Sequence, residues 1–165
     1  METAKTYMHA MIFTHISYCY TTWSHTSKST LKPIKSLFKR TLKTLDKKPI
    51  YYHYCKITNK HKIMDFDSFQ LFLDVGLIFK VLNGLAPPPL QNFIKKKSST
   101  INTRALTGDC EIQRRKTKFG QMVVSIRGTQ SWNILPSHVR DCATYTTFKK
   151  TLKQWLVASQ TCSHM

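Results

Sequence analysis

The stretch DSFQLFLDVGLIFKVLNGLAPPPL, residues 67–90, decides the fold. It predicts a helix beginning near Asp65 or Asp67, with Phe69, Phe72, Leu73, Leu77, Phe79 and Leu82 spread nearly all round the barrel. A helix apolar on every side has to be enclosed by other elements, so this segment belongs at the centre of the core. Asn83-Gly84 stops it, and Ala86-Pro87-Pro88-Pro89 makes a stiff turn, because proline lacks the backbone donor and forces the preceding residue extended. The run contains Asp74 and Lys80 and falls short of the ~20 apolar residues that a membrane span needs.

On the N-terminal side, residues Ala4 to Trp23 read as one helix with Tyr7, Met11, Ile16, Cys19 and Trp23 at roughly helical spacing, which predicts a buried aromatic face. Ser27 to Thr30 supplies N-cap residues for a second helix that reaches about Asp46, with Pro33 expected in its first turn. Leu31, Ile34, Phe38, Leu42 and Leu45 form its apolar stripe, and Lys32, Lys35, Lys39 and Lys43 run along a neighbouring face. Pro49 closes this unit, and the aromatic connector Tyr51-Tyr52-His53-Tyr54-Cys55 follows.

On the C-terminal side the character changes to short polar and basic runs. Glu111 to Arg115 and Met122 to Arg127, around Lys118-Phe119-Gly120, suggest a small antiparallel hairpin, with a partly disordered loop over residues 95–108 as the alternative. Trp132 and Trp155 are core candidates. A last helix from about Thr144 to Ala158 carries Tyr145, Phe148, Leu152, Trp155 and Leu156 on one side and Lys149, Lys150 and Lys153 on the other. The expected fold is mainly α, with a helical core and a small β-hairpin in the 105–128 region. The expected organisation is a helical region over 3–94, a basic linker over 95–108, a small α+β segment over 109–158 and a disordered tail over 159–165.

Lysine and arginine number 26 against 8 aspartates and glutamates, a formal charge of +18. Such an excess either repels itself or meets a polyanion, and nucleic acid leads the candidate partners, beside the plainer possibility of solvated lysines. The expected surface has two parts. Lys32, Lys35, Lys39 and Lys43 recur at about 5–6 Å along one helix face, similar to the spacing of successive phosphates. The other is Lys95, Lys96, Lys97, Arg104, Arg114, Arg115, Lys116 and Lys118, in which arginines can fork onto phosphate oxygens. Neither part predicts base specificity. Tyr51, Tyr52 and Tyr54 could stack on unpaired bases, although such residues more often pack.

Five widely spaced cysteines, Cys19, Cys55, Cys110, Cys142 and Cys162, make neither a disulfide framework nor a metal-ligand pattern, which fits a reducing, intracellular compartment, cytoplasmic or nuclear. His53, Cys55 and His61 lack a fourth zinc ligand at suitable spacing. A Cys55 nucleophile beside His53 has no recognisable oxyanion donor. No metal, cofactor, small-molecule substrate or membrane partner is expected.

An ordered series of short motifs adds to this. Ala4-Lys5-Thr6-Tyr7, Ser17-Tyr18-Cys19, Trp23-Ser24, Leu31-Lys32-Pro33 and Leu45-Asp46-Lys47-Lys48-Pro49 are followed by Ile78-Phe79-Lys80-Val81-Leu82-Asn83-Gly84-Leu85-Ala86-Pro87-Pro88 and Asn102-Thr103-Arg104. Phe119-Gly120, Gly128, Trp132-Asn133-Ile134-Leu135-Pro136, Arg140 and Phe148-Lys149 through Leu152-Lys153 complete it. The series, over roughly Thr3 to Leu156, resembles the region that follows the palm in reverse transcriptases of LINE-type retrotransposons without long terminal repeats. The resemblance implies a thumb-like helical region that grips RNA or an RNA/DNA hybrid while a palm does the chemistry.

Polymerisation requires carboxylates that hold two metal ions, and Asp46, Asp65, Asp67, Asp74, Asp109 and Asp141 include no aromatic-x-Asp-Asp motif. Asp65-x-Asp67, the nearest approach to a pair, reads as helix N-capping. The expectation is therefore a catalytically incomplete piece of such an enzyme, not itself an enzyme, that keeps a sequence-nonspecific nucleic-acid-binding surface. The alternatives are an inert product of a decayed element and a basic helical protein-interaction module.

Overall fold

A computed structural model of the chain describes residues 6–24, 26–97 and 109–160. After a π-helical stretch His9–Phe13 come helices α1 (Thr14–Ser17), α2 (Tyr20–Trp23), α3 (Lys28–Leu45), α4 (Tyr54–His61), α5 (Phe66–Leu82), α6 (Pro88–Gln91), α7 (Lys118–Met122), α8 (Val124–Ile134), α9 (Ser137–Arg140) and α10 (Tyr145–Ser159). The mainly α architecture is as the patterning predicts. The contacts divide the chain into two compact units, one of residues 1–69 with 156–165 and one of residues 70–155.

The core of the first unit is aromatic. Phe13 meets Phe38 edge-on at 5.2 Å and Phe69 at 5.3 Å, and Phe38 meets Phe66 at 5.7 Å, the T-shaped arrangement that ring quadrupoles favour. Leu31, Phe38 and Leu42 of α3 are buried, in line with the stripe read from the sequence.

The predicted continuous helix over residues 4–23 is not what forms. Tyr18 is extended and Cys19 sits at φ +46°, so the chain breaks between α1 and α2, with the Trp23 indole N–H donating to the Tyr18 carbonyl at 2.8 Å. The buried set is Met8, Phe13, Ile16 and Tyr20, whereas Tyr7, Met11 and Cys19 face outward. The interval of five from Met8 to Phe13 matches the i→i+5 bonding of the π-helical stretch, which moves the apolar face off the 3.6-residue phase.

Helix α3 begins under a Ser27 cap, whose hydroxyl accepts from the Thr30 amide at 3.3 Å. Pro33 therefore lies inside the helix rather than in its first turn, and its ring removes the donor that would meet the Ser29 carbonyl. Three helices end alike. Beyond α3, α4 and α5, residues Lys47, Lys62 and Gly84 adopt left-handed φ values of +51°, +51° and +68°. The amides that follow, of Lys48, Ile63 and Leu85, reach back to the carbonyls of Lys43, Thr58 and Lys80 at 2.8, 3.0 and 2.8 Å. This is the Schellman closure, which satisfies carbonyls that the helix leaves over.

In the second unit Phe79 stacks on Phe148 with ring centres 4.2 Å apart, and Trp132 lies 6.0 Å from Phe148. Trp132 is buried, as expected, while Trp155 is half-buried. Asp74, on buried α5, is met by the Arg127 guanidinium of α8 at 2.7 Å. A Cβ on Gly128 would stand 3.0 Å from two side-chain carbons of Ile78, so the missing side chain is what allows α5 and α8 to approach so closely.

The predicted hairpin is absent from the described residues. An isolated antiparallel bridge joins Lys96 to Cys110, residues 111–115 are irregular, and Val124 to Arg127 are helical; residues 105–108 lie outside the described chain. Val123, Val124 and Ile126 favour strands, but Ser125, Gly128, Thr129 and Trp132 are buried at helical spacing, and this packing overrides local preference. The final helix ends at Ser159, and of the tail foreseen over 159–165, residues 161–165 lie outside the described chain.

Left-handed lysines are strained where glycine is not. Lys47→Gly should stabilise the protein by about 0.5 kcal/mol, the relief of about 1–2 kcal/mol of left-handed strain less about 0.5–1 kcal/mol of added chain entropy. Lys47→Gln, which removes the charge but keeps the Cβ, should not raise the melting temperature. Thermal unfolding of both variants checks this.

Candidate nucleic-acid interface

The lysines of α3 share a face, as their spacing requires, but most of their ammonium groups are already engaged. Lys35 pairs with Asp67 at 2.5 Å and lies 5.6 Å over the Phe66 ring. Lys39 sits 4.6 Å over the Tyr54 ring, and Lys43 donates to the Ile50 carbonyl. Lys32 remains exposed, with Lys28 and Arg40 exposed on the same helix. Surface pairs of this kind are worth about 0–1 kcal/mol, so a phosphate could still recruit these groups.

The connector after α3 packs more than it displays. Tyr52 has Lys48 at 5.1 Å and Lys56 at 5.9 Å over its ring. Tyr54 is partly buried, and burial first, then the neighbouring Cys55, pushes its hydroxyl up to about 12, so it stays neutral. Of the three tyrosines named as stacking candidates, Tyr51 is the exposed one. Behind them Asp46 accepts from Lys60 at 2.8 Å and from His61 at 2.9 Å, and these hydrogen bonds hold its carboxyl below the usual aspartate range.

The second basic cluster belongs to the second unit. The Lys97 amide donates to the Asp109 carbonyl at 3.0 Å and the Glu111 amide to the Lys95 carbonyl at 2.8 Å, which draws residues 95–97 alongside residues 109–111. Lys95, Lys96, Lys97, Arg114, Arg115, Lys116 and Lys118 are all exposed. Arg104 lies outside the described residues. The one aspartate among them is already neutralised: Asp109 pairs with buried Arg140 at 2.9 Å and with Lys97 at 3.9 Å. Only Glu111 remains there as an exposed acid among the described residues.

Sequence reasoning did not see what holds this segment in place. The Asn133 side chain clamps the backbone of Cys110 from both sides, accepting from its amide at 2.9 Å and donating to its carbonyl at 3.0 Å. Asn133 thus stands in for the strand that the bridge lacks. Burial raises the Cys110 thiol, so this cysteine is a small, inert packing group. The available signal was the order Trp132-Asn133-Ile134-Leu135-Pro136, in which buried Trp132 and Leu135 bracket the clamp and Pro136 caps α9, which carries Arg140.

The remaining chemistry-bearing residues take structural places. Asp65 accepts from the Ser68 amide at 2.8 Å, the N-cap of α5 expected of it, and Asp67 is the partner of Lys35. His53 stacks on Tyr54 at 5.4 Å while His61 faces Asp46. Among the described residues no three His, Cys, Asp or Glu side chains are placed to hold a metal ion. Cys19, Cys55, Cys110 and Cys142 form no disulfide with one another, and no described helix is long and apolar enough to cross a membrane.

No protein family matches the chain, and no match is found among curated proteins or among solved structures.

Replacing Asn133 by leucine leaves the Cys110 amide and carbonyl without partners, a cost of about 1–3 kcal/mol. Hydrogen exchange at the Lys97 and Glu111 amides should then accelerate by about tenfold or more while the α10 amides stay protected. Asp46 gives a pH signature. Its lowered folded value means that its stabilisation is complete above the unfolded value of about 3.9 and is lost as pH falls through the folded value. Asp46→Asn should lower the melting temperature at neutral pH and flatten its fall below about pH 4, as read from melts across an acid series.

Proposed function

We propose that this chain is a non-catalytic protein that binds nucleic acid, RNA or an RNA/DNA hybrid, through phosphates and without sequence preference. The carrying observation is the exposed basic surface of Lys95, Lys96, Lys97, Arg114, Arg115, Lys116 and Lys118, whose aspartate neighbour is already neutralised by Arg140 and Lys97. A polyanion is the partner that such a surface fits. In the first unit, the exposed cations of α3, Lys28, Lys32 and Arg40, offer phosphates a place of their own.

The proposal includes kinship with the post-palm region of LINE-type reverse transcriptases. Its support is the ordered motif series, together with structural roles that several of the motifs share: the helix-then-proline element ends in a glycine closure, and Asn133 and Arg140 hold Cys110 and Asp109 at the base of the basic segment. Asp65 and Asp67 serve a helix cap and an ion pair, so the proposed activity is binding alone.

A second reading, a basic helical protein-interaction module, draws on an open apolar groove of about 470 Å3 in the first unit. Tyr7, Met8, Ile12, Thr41, Thr44 and Leu45 line it, with Lys47 among them.

Fluorescence anisotropy with labelled RNA, DNA and hybrid duplexes across a salt series tests the proposal, with polyglutamate as competitor. Affinity should fall steeply with salt and survive polyglutamate. The double variant Arg114→Gln/Arg115→Gln should flatten the log–log salt slope by roughly 1.4–1.8, about 0.7–0.9 for each phosphate no longer neutralised. Equal competition by polyglutamate, or no binding near physiological salt, would mean that the charge is generic.

A further inference from the structure

The turn that bears the basic segment also bears an aromatic ring in water. Phe119 is 73% exposed, and Arg114, Arg115, Lys116 and Lys118 lie within five residues of it. A phenyl ring among cations gains little from the sugar–phosphate backbone itself, so its placement calls for a flat apolar partner that arrives with the polyanion. We infer that Phe119 and Arg115 form a stacking site for an unpaired base, so that the strand gripped by this segment is single-stranded there. The inference rests on the nucleic-acid reading above and names the form of its ligand.

The turn is built rather than loose. The Thr117 hydroxyl accepts from the Gly120 amide at 3.1 Å, the Gln121 amide donates to the Thr117 carbonyl at 3.1 Å, and the Gln121 side chain donates to the Arg115 carbonyl at 3.3 Å. A Cβ at Gly120 would stand 2.9 Å from the Thr117 hydroxyl and 3.0 Å from the Arg115 Cβ. Glycine at 120 is thus the residue that lets the Arg115 stem lie against the turn carrying Phe119. The Arg115 guanidinium reaches the Gln113 side chain at 3.1 Å and stays at the surface.

A duplex keeps its base faces inside the stack and offers this ring nothing, whereas an unpaired base offers a π face whatever its identity, and Arg115 can add its charge and its own plane. The combination of cations and a ring therefore favours a single strand without specifying sequence.

The test measures binding of the full chain to a single strand of about 20 nucleotides without self-pairing and to the duplex of the same sequence, at one salt concentration. The wild type should bind the single strand roughly tenfold more tightly than the duplex. Phe119→Ala should bring the single strand down to the duplex level and leave duplex binding unchanged, Phe119→Trp should keep the preference, and Arg114→Gln/Arg115→Gln should weaken both. Tyr18→Ala, which removes another exposed ring, should change neither. Equal binding of strand and duplex, an unchanged preference in Phe119→Ala, or equal weakening by Tyr18→Ala and Phe119→Ala would overturn the stacking site while leaving the phosphate-binding reading standing. Absence of salt-sensitive binding to either ligand would sink both. Because Phe119 is exposed, its variants should melt with the wild type, and a shifted melt for Phe119→Ala would reassign the ring to packing.

Discussion

Carboxylates are the scarce resource of this chain: eight of them serve 26 lysines and arginines. Where they go decides which joints are held. Asp46 ties the end of α3 to the end of α4, Asp67 ties the start of α5 to α3, Asp74 ties α5 to α8, and Asp109 ties the bridge segment to α9, while Asp65 caps a helix. The burial of Asp74 is tolerable because a guanidinium meets it. With these carboxylates engaged, the exposed cations have few intramolecular partners left, and a positive surface follows from the way the chain holds itself together.

Backbone closures complement those ties. Left-handed residues end α3, α4 and α5, and at two of the three ends the residue is lysine rather than glycine. The glycine at residue 84 is legible in the sequence because Asn-Gly marks a helix end by residue type alone. The lysines at 47 and 62 are not, since their left-handed conformation goes with hydrogen bonds from the following amides, of Lys48 and Ile63, back to the Lys43 and Thr58 carbonyls, and nothing in a lysine side chain announces that geometry. Cys19 belongs with them, for its left-handed turn is what divides the N-terminal helix.

The candidate interface was half legible. Its cations could be read directly from composition and runs, and their exposure around residues 114–118 agrees with that reading. Which α3 lysines remain open could not be read, because Lys35, Lys39 and Lys43 reach partners 32, 15 and 7 residues away in the chain, Asp67, Tyr54 and Ile50. Nor could the clamp of Asn133 on Cys110, an interaction across 23 residues in which a side-chain amide does what a neighbouring strand would do.

The sequence by itself determined the mainly helical class, the buried stripe of α3, the apolar α5 with its glycine stop, the amphipathic α10 and the basic excess. These are properties of spacing and residue type along a few turns, and local periodicity is sufficient to set them. Only the tertiary structure decided that residues 124–127 are helical instead of part of the second strand of a hairpin, that the N-terminal helix buries Met8 and Phe13 rather than Tyr7 and Met11, and which charges are neutralised. Those outcomes depend on contacts between residues far apart in the chain: Val124 and Ile126 have strand preferences of well under ~1 kcal/mol each, and burial of the α8 face that carries Gly128 and Trp132, with Gly128 against Ile78, outweighs them.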